Sequence, residues 1–169
     1  MRSRKTLIVL ALLVITAAVL MLRGVGGPGA LTEEQQVALL LEAMARAAED
    51  RDVKLMRAHL SRDYKDERGR NHEAMNQLIT LHYLRKGKIS VYLASREVEV
   101  DHAADPLKAR AKLRAVITRG AAAGKLPGGM PESGDALTFD VGLVKEGGSK
   151  WMLTSAVWRG LRSPQELLE

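Results

Sequence analysis

Cysteine is absent from this chain of 169 residues, and phenylalanine occurs only once. A fold without cysteine contains no disulfide, and a lipid anchor attached to cysteine is excluded. The sequence also lacks a phosphate-binding loop and a Gly-x-Ser-x-Gly nucleophile motif. Its four histidines have no acidic residues at metal-ligand spacing. We therefore expect no bound metal and no cofactor, and we assign no catalytic residues.

Charge is absent from residues 6–22, which also contain no proline or glycine. At about 1.5 Å per residue these residues would form roughly 25 Å of helix, near the lower limit for a bilayer core of about 30 Å. Three basic residues precede the segment, whereas Arg23 alone directly follows it. Because basic residues favour the cytoplasmic side, we predict a single-pass anchor in a bacterial inner membrane, with a periplasmic domain. A cleaved signal peptide with a weak site at residues 24–26 is the alternative.

Glycine and proline mark residues 24–30 as a flexible linker. The linker joins the anchor, residues 1–23, to one domain, residues 31–162, and residues 163–169 form a short C-terminal tail. The net charge of +6 arises mostly in the anchor, which has four basic residues and no acidic one, so that 22 basic and 20 acidic residues remain. A nucleic-acid partner is therefore not expected.

Three helices are predicted in the first half of the domain. Thr32 can begin the first helix as the N-cap of a capping box with Gln35, and apolar residues recur at helical spacing through about Glu49. Asp52 and Asn71 can cap the second and third helices. The apolar stripe of the third helix comprises Met75, Leu78, Ile79 and His82.

From residue 88 the apolar period changes to two, which predicts four long antiparallel strands. The first two strands carry an acidic row (Glu97, Glu99 and Asp101) and a basic row (Lys108, Arg110, Lys112 and Arg114). A hairpin would pair 101 with 108, 99 with 110 and 97 with 112. We interpret the rows as a solvated ladder that fixes the strand register, with a ligand site as the alternative. A bulge or bend near Ser95 is required, because the apolar residues change parity there.

The order of these elements resembles the nuclear-transport-factor-2-like (NTF2-like) superfamily, the cone-shaped fold shared with ketosteroid isomerase and scytalone dehydratase. The likeness covers about residues 33–160 and rests on the turn at 49–52, on Leu60-Ser-Arg-Asp-Tyr64 with Asp66, and on the strand 150–158. It implies an α+β fold, with three helices packed on a curved antiparallel sheet of about four to six strands. The enzymes of the family use a tyrosine and paired acids inside the cone. Here Tyr64 and Asp66 match only the region after the second helix.

Six residues are candidates for lining a pocket inside the cone: Tyr64, Asp66, His82, Tyr83, Phe139 and Trp151. A lone histidine on an apolar stripe is expected to be packed and hydrogen-bonded, and this applies to His82. Strand alternation predicts that Asp140 is solvated.

The hypothesis that follows is a non-catalytic, membrane-anchored periplasmic domain, which binds a small apolar ligand or a protein partner in an envelope assembly. The first alternative is a small lyase or isomerase that uses an acid or a histidine inside the cone. The second is a dimerisation or assembly module, including a homodimer. A cone plugged by Trp151, Met152 or Phe139 would favour assembly.

Overall fold

The computed structural model describes residues 30–85, 89–120, 124–125 and 127–167. Within these ranges, three helices precede one antiparallel sheet. The helices are α1 (Glu33–Asp50), α2 (Val53–Ala58) and α3 (His72–Arg85). The strands are β1 (Ile89–Asp101), β2 (Lys108–Arg119), β3 (Asp135–Glu146) and β4 (Lys150–Gly160), in that order across the sheet. This architecture confirms the predicted α+β class with three helices on a four-stranded sheet.

Side-chain caps begin the second and third helices. The Asp52 carboxylate accepts a hydrogen bond from the Leu55 N–H at 2.9 Å, and Asn71 Oδ1 accepts one from the Ala74 N–H at 3.0 Å. Each cap satisfies a backbone donor that the first turn of a helix leaves without an intrahelical partner. Both predicted caps are therefore confirmed.

One apolar cluster joins the helices to one face of the sheet, named here the helix-side face. Its buried members are Val37, Leu40, Leu41, Leu60, Tyr64, Met75, Ala109, Ala111, Leu113, Val141, Leu143, Trp151, Leu153 and Ala156. All of them lie in the compact unit that begins at Glu33. Because burial of apolar surface is the main favourable term in folding, this unit contains its own stabilising core.

The predicted charge ladder between β1 and β2 is confirmed. Asp101 lies opposite Lys108, Glu99 opposite Arg110, and Glu97 opposite Lys112. The six side chains are exposed, and none of these pairs lies within 4.0 Å as an ion pair in the described ranges. The rows therefore agree with the register, while close side-chain pairing contributes little to it.

The predicted bend in β1 is also confirmed. The register with β2 shifts between Leu93 and Ser95, so one extra residue is inserted at this point. Because side chains alternate between faces along a strand, this insertion keeps Leu93 and Val98 on the same face despite their odd spacing. Both are partly buried, as a shared helix-side position requires.

The outer face of the sheet is charged at one end and covered at the other. Val116 packs there with Met130, Ala136 and Leu167 in a second apolar cluster. The 3₁₀ turn Pro164–Leu167 lies within the predicted C-terminal tail. Since Leu167 is only 7% exposed, this part of the tail contributes to the packed domain.

The predicted apolar stripe of α3 is wrong at Leu78, which is 37% exposed. Met75 is buried, and Ile79 packs against the core. Residues 78 and 79 point about 100° apart around a helix, so the face that α3 turns toward the core includes only one of them. The His82 side chain, predicted on the same stripe, lies outside the described residues.

No helix in the described ranges has the length and hydropathy needed to cross a membrane. The predicted anchor and residues 24–29 of the predicted linker lie outside these ranges. The anchor therefore stays a prediction from the sequence.

Candidate functional site

The end of the helix-side face beside the start of α1 is filled, and we name it the closed end. Trp151 is 4% exposed there, and its Nε1–H donates a hydrogen bond of 3.1 Å to Glu33 Oε2. Lys145 Nζ donates to both oxygens of the same carboxylate, at 2.6 and 2.7 Å. Leu143 and Leu153 are buried in the same cluster. These contacts pair the charges of Glu33 and Lys145 and pack the Trp151 ring into the core.

Apolar side chains farther along the same face stay partly exposed, at a place we name the open end. They are Met44, Ile79, Phe139 and Trp158, while Val100 and Leu107 beside the closed end are partly exposed as well. Phe139 and Trp158 are cross-strand partners on β3 and β4, so their backbones lie about 4.8 Å apart. A group of partly exposed apolar side chains is typical of a surface that binds an apolar ligand.

A bulge in β4 brings both tryptophans to the helix-side face. Trp151 and Trp158 are seven residues apart, and an odd spacing would place them on opposite faces of a regular strand. The register between β3 and β4 shifts by one residue at Thr154, which restores the same face for both rings. At about 3.3 Å per residue, the two rings mark positions roughly 20 Å apart.

The loop after α2 is fixed against the edge of β4 beside this bulge. The Leu153 N–H donates to the His59 carbonyl at 2.8 Å, and the Ser61 N–H donates to the Leu153 carbonyl at 2.9 Å. Farther along, the Lys65 N–H donates to the Thr154 carbonyl at 2.9 Å. This short extension of the sheet fixes the start of residues 66–70, which contact the open end.

Asp66 holds this loop from inside, with no exposed surface on its side chain. Its Oδ1 accepts hydrogen bonds from the backbone N–H groups of Arg68 and Arg70, both at 2.9 Å, and Oδ2 accepts one from Arg70 Nε at 2.6 Å. Burial alone would raise the pKa of Asp66. The hydrogen bonds and charge of Arg70, with the Arg68 N–H, outweigh burial and lower the pKa below its ordinary 3.8. Asp66 therefore stays ionised and is a weak base.

Tyr64 lies in the core beside this loop, with 2% of its surface exposed. Its Oη is buried and has no hydrogen-bond partner in the described part of the chain, so we ascribe the effect of Asp66 on it to charge. Burial, and after it the Asp66 charge, raises the pKa of Tyr64 from 10.0 to about 12. The hydroxyl therefore stays protonated at neutral pH.

Two guanidinium groups lie against the Trp158 ring. Cζ of Arg70 is 4.5 Å from the ring centroid, and Cζ of Arg68 is 5.5 Å from it. The charge of Arg70 is compensated by Asp66. Arg68 is exposed and forms no ion pair with any residue that the structure describes. One uncompensated positive charge thus contacts an aromatic ring of the open end.

The six predicted pocket residues do not all come together. Tyr64, Asp66 and Phe139 lie near or at the open end, whereas Trp151 lies at the closed end. His82 and Tyr83 belong to α3, but their side chains lie outside the described residues. Asp140 is exposed, which confirms its predicted solvation. In the ranges that the structure covers, no three His, Cys, Asp or Glu residues are grouped to hold a metal ion.

Sequence reasoning missed the roles of Arg68 and Trp158 in this arrangement. The sequence does not assign Trp158 to a face, because apolar residues occupy both alternating positions of β4, at 151–153 and again at 156–158. The register shift at Thr154 places Trp158 on the helix-side face. The position of Arg68 had no sequence signal either, since it depends on the loop being fixed by β4 and Asp66.

Solved structures with this arrangement of helices and strands identify the fold. An NTF2-like protein of unknown function from Pseudomonas putida is 20% identical, with a TM-score of 0.58 over 79% of this chain and 90% of that one. An NTF2-like protein from Cytophaga hutchinsonii is 11% identical, with a TM-score of 0.55 over 78% of this chain and 100% of that one. The fold is that of the NTF2-like proteins.

The same fold occurs within a longer protein. Bd1075 of Bdellovibrio bacteriovorus is 14% identical, with a TM-score of 0.59 over 75% of this chain, and this chain spans only 40% of its length. Neither a protein-family model nor a curated protein matches the sequence. These likenesses therefore identify the fold, and function has to be argued from the site.

Proposed function

We propose that this protein is a membrane-anchored, non-catalytic domain that binds a small apolar ligand at the open end. The observation that carries the proposal is that Phe139 and Trp158, cross-strand partners on the helix-side face, stay partly exposed, whereas Trp151 on the same strand is 4% exposed. Covering apolar surface is favourable by about 25 cal/mol per Å². A ligand seated on Phe139 and Trp158 would therefore gain from the surface that the fold leaves open.

The ionisable groups beside the open end support binding over catalysis. General acid–base catalysis works best with a pKa near the working pH. The pKa of Asp66 is lowered and that of Tyr64 is raised to about 12, so both move away from neutrality. The Asp66 oxygens are also occupied in holding the loop. Neither Asp66 nor Tyr64 therefore favours the lyase or isomerase alternative.

The membrane anchor is part of this proposal and rests on the uncharged residues 6–22. The chain would then cross the inner membrane once and present the domain in the periplasm. Membrane fractions should contain an intact N-terminus that resists carbonate extraction. A soluble mature form that begins near Gly27 or Ala30 would instead support a cleaved signal peptide.

The binding proposal is tested with octanamide, a neutral molecule with an apolar tail. For a ligand of about ten heavy atoms, a dissociation constant on the order of 1 mM is expected. Calorimetric titration would use the full chain in lipid nanodiscs, with empty nanodiscs subtracted. Phe139→Gln should weaken binding at least several-fold, because it removes apolar contact at the open end. Leu39→Gln is the control, since Leu39 is an exposed leucine of α1. Equal affinities of these two variants and the wild type would reject the proposal.

An assembly module is the second candidate function, because Trp151 fills the closed end. The exposed acidic row of β1 and basic row of β2 add a surface whose charges would be complementary between two copies. Sedimentation velocity of the detergent-solubilised chain tests it. A dimer that dissociates on Arg110→Glu would favour assembly, and a monomer at the highest soluble concentration would reject a homodimer.

A further inference from the structure

We propose that the ligand of the open end carries a carboxylate, which the Arg68 guanidinium binds while the apolar part covers Trp158 and Phe139. This inference rests on the proposed function and specifies the chemical class of its ligand. It follows from the distribution of charge around the Trp158 ring.

The cluster beside Trp158 contains two cations and one anion. Arg70 is paired with Asp66 through its Nε at 2.6 Å. Asp66 also accepts the backbone N–H groups of Arg68 and Arg70, so both of its oxygens accept hydrogen bonds within the loop. The loop therefore neutralises Arg70 and leaves the charge of Arg68 without a partner among the described residues.

The Arg68 side chain is positioned but has unused donors. Its Cζ lies 5.5 Å from the centroid of the Trp158 ring, within the range of a cation–π contact. An arginine side chain has five N–H donors in a planar fork that matches a carboxylate. None of these side-chain donors binds another residue that the structure describes. The Trp158 ring thus holds the Arg68 guanidinium near the open end, where it can bind a carboxylate.

The apolar side chains beside Arg68 favour a ligand whose carboxylate is attached to an apolar group. Trp158 contacts the guanidinium on one side of the site and is the cross-strand partner of Phe139. A carboxylate bound by Arg68 would therefore have its first carbon atoms beside Trp158, with Phe139 on the neighbouring strand. A free inorganic anion would leave Phe139 and the still exposed part of Trp158 uncovered, whereas an aliphatic carboxylate uses the charge and this apolar surface together.

The test compares octanoate with octanamide, which differ in charge and have the same chain length. The full chain in lipid nanodiscs is titrated by calorimetry, with empty nanodiscs subtracted. Wild type should bind octanoate about fivefold to tenfold more tightly than octanamide, because a charge-assisted hydrogen bond replaces a neutral one. The preference should decrease as salt is raised.

Two substitutions of Arg68 and one control assign the preference to a residue. Arg68→Gln should reduce the ratio of the two affinities to about one, and Arg68→Lys should give an intermediate ratio because it keeps the charge but loses the fork. Arg62→Gln should retain the wild-type ratio, since Arg62 is exposed earlier in the same loop. Circular dichroism of each variant checks that it is folded.

Three outcomes would overturn the inference. Equal affinities for octanoate and octanamide in wild type would refute the carboxylate while leaving the proposed function intact. A preference that survives in Arg68→Gln would refute the assignment to Arg68. Binding of neither molecule would refute both this inference and the proposed function.

Discussion

The two tryptophans of β4 lie on the same face of the sheet and have opposite surroundings. Trp151 is buried, and its N–H is bound by a carboxylate that Lys145 also neutralises. Trp158 is partly exposed and lies under two guanidinium groups, of which only one is paired. The polar groups around Trp151 are thus paired within the chain, whereas the open end leaves apolar surface and a positive charge available to another molecule.

The difference between the two ends arises from long-range pairing. α1 reaches the closed end and supplies Glu33 to Trp151. At the open end a loop takes the place of a helix over Trp158, because residues 59–65 pair with the edge of β4. A loop covers a ring less completely than a packed helix. Ligand binding is therefore expected at the open end, where a loop covers the core.

The largest expected effect is a difference between the two tryptophans in how much their substitution lowers the free energy of unfolding. Trp151→Ala should reduce the free energy of unfolding by about 3–5 kcal/mol, since it empties a packed site. Trp158→Ala should cost only about 1–2 kcal/mol, because less apolar surface is buried there. Urea denaturation followed by circular dichroism measures both. Equal costs would remove the basis for distinguishing a closed end from an open one.

A smaller effect is expected from the loop that shapes the open end. Asp66→Asn should reduce the free energy of unfolding by about 1–3 kcal/mol at pH 7, because it removes the buried charge and the oxygen that accepts the Arg70 Nε–H. Asp140→Asn is the matched control, since Asp140 is exposed and should change stability by less than about 0.5 kcal/mol. An Asp66 variant as stable as this control would mean that the loop does not depend on the carboxylate.

The pH dependence of stability, compared between wild type and Asp66→Asn, tests the lowered pKa of Asp66. The pKa of Asp66 is lower in the folded protein than its ordinary value of 3.8. The charged form therefore stabilises the fold above about pH 4, and this contribution is lost as the pH falls through the folded pKa. The difference in stability between wild type and Asp66→Asn should thus decrease below pH 4. A difference that stays constant from pH 7 to pH 3 would contradict the lowered pKa.

The smallest effect is expected at Tyr64, whose buried hydroxyl has no partner in the described part of the chain. Tyr64→Phe should leave stability within about 0.5 kcal/mol of wild type or raise it slightly, because no hydrogen bond is lost. Tyr92→Phe is the comparison, since the Tyr92 hydroxyl donates to the Gly128 carbonyl at 2.7 Å and its loss should cost about 0.5–1 kcal/mol. A larger loss at Tyr64 than at Tyr92 would show that the Tyr64 hydroxyl has a partner.

Much of the fold was predictable because local patterns encode it. The two charge rows indicated the pairing of β1 with β2, the parity change indicated the bulge near Ser95, and Asp52 and Asn71 capped their helices. These signals depend on neighbours in sequence or on one hairpin. The stripe of α3 was predicted too broadly, because Leu78 could not be recognised as exposed without the position of the sheet.

The site was less predictable because it combines distant segments. Tyr64, Asp66 and Phe139 were singled out, but the charge balance at Trp158 depends on the fact that Asp66 pairs with Arg70 and leaves Arg68 unpaired among the described residues. That pairing follows from hydrogen bonds inside a loop that β4 fixes from about 90 residues away in the chain. No spacing rule in the sequence reports such a contact. The anchor and its orientation, by contrast, remain predictions that rest on composition alone.

The most direct test of the account observes both tryptophans while a ligand is added. The chain has two tryptophans, so labelling with 5-fluorotryptophan gives two ¹⁹F resonances, which Trp151→Phe assigns. On titration with octanoate, the Trp158 resonance should shift and saturate while the Trp151 resonance stays in place. Shifts of equal size at both rings, or no shift at Trp158, would contradict the claim that the open end is the binding site.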